Sequence, residues 1–146
     1  MLDDPGYAQR VDGAFASEVL ATHRRLTGWR DPRGGVQLAW PRALGTPPWA
    51  LAHALGAHSG QVHRVHLVLP WQRPQALSRL RLAAATKPVA LYVGDRWLPR
   101  HVLLVLDATL RAYDPATGGG RLLTTTDFEE ATLRPGRWTH PWFWIG

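Results

Sequence analysis

Arg100-His101-Val102-Leu103-Leu104-Val105-Leu106, then Asp107-Ala108-Thr109, then Leu110-Arg111-Ala112-Tyr113-Asp114 is the stretch that decides the fold. The first run is almost wholly apolar, which predicts a strand covered on both faces. The second is short and follows a connection of turn length, so the two read as an antiparallel hairpin. With Ala108-Thr109 as a two-residue turn, Asp107 faces Leu110 and paired residue numbers sum to 217. Asp114 then lies opposite Leu103, one diagonal step from His101. Strand side chains repeat every two residues, so His101 and Leu103 share a face. His101 and Asp114 therefore point the same way, within a diagonal backbone separation of roughly 7–8 Å. A carboxylate there orients an imidazole and stabilises its charged form, the base-and-orienter half of a nucleophilic triad. The same two residues also fit a strand-end histidine and the start of an Asp-Pro turn.

Outward from the hairpin, the C-terminal half is rich in strands. Pro88 precedes a buried run, Val89–Val93, and Gly94–Arg100 is a turn-rich connection. Pro115–Gly120 makes a turn and Arg121–Thr124 a short strand. Thr126, with Glu129 three residues later, predicts a capping box on a short helix. Pro141–Ile145 reads as a last, aromatic strand, and at a sheet edge it would offer an interaction surface.

Toward the N-terminus the pattern turns helical. Residues 14–27 carry Phe15, Val19 and Leu26 on one stripe, with Gly28 in the C′ position. Residues 29–45 form a long irregular connection. Thr46 as N-cap and Pro47 as first helical residue open a second helix with Trp49, Ala50, Leu51, Ala54 and Leu55 inward. Residues 61–69 read as a strand, and Pro74 to about Thr86 as a third helix with Leu77, Leu80 and Ala84 on one side. The expected architecture is α+β in a single domain over 1–146: N-terminal helices, then an antiparallel sheet.

Composition narrows the function. The chain has 146 residues, 45% of them apolar, and no cysteine. That excludes disulfides, cysteine-rich metal sites and a cysteine nucleophile within this chain. No apolar run approaches the roughly 18 residues of a membrane span, and the start, Met1-Leu2-Asp3-Asp4-Pro5-Gly6, lacks a signal-peptide pattern. A cytoplasmic protein with no membrane partner is expected. The net charge is +6, but 16 of the 17 basic residues are arginine and they are spread along the chain, a bias that GC-rich coding also produces. Trp29-Arg30, Trp40-Pro41-Arg42, Arg96-Trp97 and Arg137-Trp138 would suit stacking on bases, though packing explains tryptophan in a small domain as well.

No cofactor or metal site is expected. His53 and His58 diverge by about 140° around a helix. His63 and His66 fall on opposite faces of a strand, and neither pair gathers ligands on one side. His23 and His140 read as packing residues. Gly118-Gly119-Gly120 lacks the Gly-Lys-Ser/Thr of a phosphate loop.

The order of these pieces resembles a known family. The helix Thr46-Pro47-Pro48-Trp49-Ala50-Leu51-Ala52, the run Lys87-Pro88-Val89-Ala90-Leu91-Tyr92-Val93, the strand opened by His101, and Ala112-Tyr113-Asp114-Pro115-Ala116-Thr117-Gly118 look like the papain-like cysteine peptidases. The nearest type is the bacteriocin-leader-processing one. The similarity runs from about Gly45 to Phe128. It implies a half-barrel sheet, a peptide or protein substrate, His101 as general base and Asp114 as its orienting partner. The family carries its cysteine near the N-terminus at a helix start, just after an oxyanion-stabilising glutamine. Here Gln9 precedes Arg10-Val11-Asp12-Gly13 and no nucleophile follows. The expectation is a peptidase-like chain without its first, cysteine-bearing helix, inactive as given: a truncated peptidase or a pseudoenzyme. The alternative is a basic, Trp/Arg-rich binding module for nucleic acid or a protein partner.

Overall fold

The computed structural model describes residues 46–146 and, before them, positions 24, 26–28, 30 and 34–36. The helix expected over 14–27 and the segment around Gln9 lie wholly or largely outside the described residues. The chain clusters into two compact units, Met1–Val62 and His63–Gly146.

In the first unit, helix α1 spans Pro48–Ser59. Its N-cap is Pro47 and its first residue Pro48, one position later than expected. Pro48 satisfies the same rule as Pro47, since a first-turn residue needs no N–H partner. Gly60, at φ 69°, closes the helix by donating its N–H to the Gly56 carbonyl. Ala50 and Ala54 bury one side together with Leu26, and Trp49 packs against them.

The second unit is α+β, with an open, six-stranded antiparallel sheet. Its strands are β1 (Val65–Leu67), β2 (Val89–Gly94), β3 (Pro99–Val105), β4 (Arg111–Asp114), β5 (Gly119–Leu122) and β6 (His140–Ile145). Their order is β1-β6-β2-β3-β4-β5. Helix α2 (Arg73–Ala84) follows a 3-10 turn at Pro70–Gln72, and α3 (Thr125–Glu130) follows β5. The aromatic strand β6 is therefore not an edge: it pairs with β1 through Leu67↔Phe143 and with β2 through Leu91↔Trp144. The expectation of an edge strand fails because both neighbours of β6 are distant in sequence.

One face of the sheet holds the core. Val89, Leu91, Val93, Leu103, Val105, Ala112 and Trp144 meet a helical stripe of Ala76, Leu77, Leu80 and Ala84, with Phe128 of α3 beside them. All six residues of β2 are buried, as expected for a central strand. Gly94 ends it where a Cβ would stand 2.0 Å from the Leu98 carbonyl oxygen, so only glycine fits. The turn that crowds it is set by Asp95, whose Oδ1 accepts the Trp97 and Leu98 N–H groups at 2.7 and 2.8 Å.

Helix α3 starts two residues earlier than the Thr126/Glu129 pattern predicts. Thr124 Oγ1 accepts the Asp127 N–H at 3.0 Å and donates to Asp127 Oδ2 at 2.7 Å. Removing this cap in Thr124→Ala is expected to cost about 1 kcal/mol, measured as a shift in the urea unfolding midpoint.

Candidate functional site

The hairpin has the expected register. Leu104 pairs with Tyr113 and Val105 with Ala112, and Leu110 donates its N–H to the Asp107 carbonyl at 3.0 Å. Leu110 makes this turn at φ 68° while its side chain is only 1% exposed. A leucine is left-handed here because burying its side chain outweighs about 1–2 kcal/mol of backbone strain.

On the neighbouring side, Val93 of β2 is the register partner of His101, so the imidazole shares the core-facing side with Leu103. Continuing the β3–β4 ladder brings Asp114 to the same side. His101 Nε2 lies 2.7 Å from Asp114 Oδ1, with side-chain exposures of 17% and 7%. Both residues singled out from the sequence thus meet directly, closer than their diagonal backbone positions require.

Asp114 is also the start of the Asp-Pro turn, so the two sequence readings describe one residue with two duties. Its Oδ1 accepts the Ala116 N–H at 3.0 Å, and its backbone carbonyl accepts the Gly118 N–H at 2.9 Å. Burial pushes the Asp114 carboxyl up. The hydrogen bonds from His101 and Ala116, with the charges of His101 and Arg121, outweigh this and hold it below the usual Asp range. The carboxylate is therefore ionised near neutrality, and an ionised carboxylate only accepts. Nε2 must carry the proton, leaving the Nδ1 lone pair as the basic position of the neutral ring. Among the described residues nothing hydrogen-bonds Nδ1, and no serine or threonine hydroxyl reaches the ring.

Sequence reasoning missed Arg121. β4 and β5 pair Ala112 with Arg121 and Asp114 with Gly119, which puts Arg121 on the Asp114 face. Extending the alternation through the Pro115–Gly118 turn would have found it.

The remaining histidines do other things. His66 stacks flat on Trp144, ring centroids 3.9 Å apart. His140 Nδ1 lies 2.8 Å from the Thr139 hydroxyl; burial, then Arg73 and Arg96, lower its affinity for a proton. Among the described residues no cluster of three or more His, Asp or Glu side chains is placed to hold a metal. The arginine–tryptophan neighbours do stack, Arg96 over Trp97 at 4.4 Å and Arg137 over Trp138 at 4.6 Å. Trp138 packs against the core while Trp97 is exposed; Trp29 and Trp40 lie outside the described residues. Among the described residues no helix is long and apolar enough to cross a membrane.

Comparison of the chain with protein-family models, with curated proteins and with solved structures gives no match.

Proposed function

We propose that the chain is a peptidase-like protein of the papain type, in which His101 is the general base and Asp114 holds its tautomer. The observation that carries this reading is the 2.7 Å contact between a half-buried imidazole and a nearly buried, ionised carboxylate. In this arrangement Asp114 fixes Nε2–H, and Nδ1 is left to take a proton from a nucleophile. The strand order, with the histidine in the first half of β3 and the aspartate closing β4, supports the same reading. We propose likewise that the open sheet is the half-barrel of the papain type.

Hydrolysis as the chain stands is not part of the proposal, because the sequence has no thiol. Losing a triad member removes several powers of ten in rate, so the chain acts as a peptide binder whose base lacks a nucleophile. An external thiol supplies the test. With a small thiol and an activated peptide ester, the chain should accelerate ester cleavage. His101→Ala should reduce that acceleration by roughly 10²-fold, the low end of general-base contributions. Asp114→Asn should reduce it as well, by releasing the tautomer. Thiolysis indifferent to His101→Ala sinks the reading.

A further inference from the structure

The even spread of basic residues conceals an uneven spread of acidic ones. From His63 to Gly94 the chain carries Arg64, Arg73, Arg79, Arg81 and Lys87 and not one Asp or Glu. Two of the arginines are spent on α3: Arg73 Nη1 donates to the Glu129 carbonyl at 3.1 Å, and Arg81 Nη2 to Thr125 Oγ1 at 2.8 Å. Arg64 and Arg79 have no ion-pair partner among the described residues. Both act on His66: burial first, then the charges of Arg79 and Arg64, depress its proton affinity.

His66 and Arg79 line a cleft of about 310 Å³ between β1 and the first turns of α2. His66, lying on Trp144, forms its floor, while Gln72, Gln75 and Arg79 line the helix side. Neither glutamine side chain hydrogen-bonds within the protein among the described residues.

The cleft opens beside the edge of the sheet. Arg64 and Gly146 exchange backbone hydrogen bonds, and Val68 donates to the Trp142 carbonyl. The main-chain groups of Val65 and Leu67, of opposite parity, therefore point away from β6, since a strand alternates its hydrogen-bonding direction. Among the described residues β1 is the last strand of the sheet on that side, and Leu67 is 63% exposed. An unpaired strand edge beside a helix is the geometry of strand addition: main-chain bonds supply affinity and alternate side chains enter the groove.

We propose that the β1–α2 groove binds an extended acidic peptide segment, which pairs its backbone with Val65 and Leu67 and directs a carboxylate to Arg79 and the two glutamine amides. The free edge selects a peptide over other anions, because only a polypeptide can complete its ladder. The opposite edge, β5, offers no such choice of charge: its neighbouring cleft of about 600 Å³ sets Asp127 and Glu130 against Arg121 and Arg134. The proposal stands apart from the His101–Asp114 site and uses none of its residues.

Fluorescence anisotropy of the full chain with a short labelled peptide of alternating valine and glutamate tests it. Binding is expected at low salt and should weaken as salt rises. Arg79→Ala should weaken it about tenfold, or about 1.4 kcal/mol. N-methylating the peptide amides on its β1-facing side should abolish binding with no change to the protein, which removes any doubt about folding of the variant. The proposal is overturned by equal binding of the valine–lysine peptide, by indifference to Arg79→Ala, or by no binding at low salt. Tolerance of N-methylation, or equal Arg79-dependent capture of single-stranded DNA, also overturns it, since either would mean that the groove reads charge alone.

Discussion

Asp114→Ala is expected to lower the stability of the second unit by about 3 kcal/mol, read from urea unfolding at neutral pH. The substitution removes the acceptor of two hydrogen bonds, from His101 Nε2 at 2.7 Å and from the Ala116 N–H at 3.0 Å. Bonds to a charged acceptor contribute about 1.5–3 kcal/mol each, and the imidazole Nε2 is left without its acceptor. Asp114→Asn keeps an acceptor oxygen and loses the charge, so it should fall between wild type and alanine. The pH profile separates charge from shape. The Asp114 carboxyl is held below its usual value, so the stability it contributes is complete above the unfolded Asp value of about 3.9. It is lost as pH falls through the lower folded value. The gap between wild type and Asp114→Asn should therefore be constant near neutrality and narrow in acid. A gap that widens in acid would mean that the carboxyl is protonated more easily in the folded state than in the unfolded one.

Phe128→Ala is expected to cost more, about 4 kcal/mol in the same measurement. Phe128 is 1% exposed and belongs to the core cluster that joins α2 to the sheet. Helix α3 has six residues, too few to be stable by its own hydrogen bonds. Its place depends on this ring, on the Thr124–Asp127 cap and on the two arginines reaching from α2. Truncation leaves a ring-sized void among Leu123, Leu133 and the strand residues, and the penalty grows with the volume that fails to collapse. Phe128→Leu retains most of the volume and should lose less than half as much. Because Leu103 and Ala112 lie in the same cluster, Phe128→Ala should also shorten the hydrogen-exchange lifetime of β3 and β4 amides.

The hairpin was legible because its information is local. Parity and one turn length placed His101 and Asp114 on one side, and the pairs Leu104↔Tyr113 and Val105↔Ala112 have the predicted register. The α2 stripe of Leu77, Leu80 and Ala84 was legible for the same reason. What escaped depends on partners outside the local pattern. Thr124-Thr125-Thr126 offers two capping frames, one with Asp127 and one with Glu129. Asp127 is chosen because its other oxygen receives the Thr132 hydroxyl at 2.9 Å from beyond the helix. The strand order escaped too, since β6 inserts between β1 and β2, and no local pattern says which strands it will meet. The β1–α2 groove follows from that insertion and was invisible until the order was known. Its charge could have been seen by counting acidic residues as well as basic ones.

Oδ1 of Asp114 accepts both from the His101 ring and from the Ala116 amide. The imidazole and the turn are thus two claimants on one atom, and their coupling is reciprocal: the free energy by which the ring affects the turn is the free energy by which the turn affects the ring. A proton or ligand that pulls the ring away frees the oxygen to tighten on the turn or to turn outward with it. The Ala116 amide becomes a remote reporter, one that registers events at the ring in a backbone signal that needs no substrate.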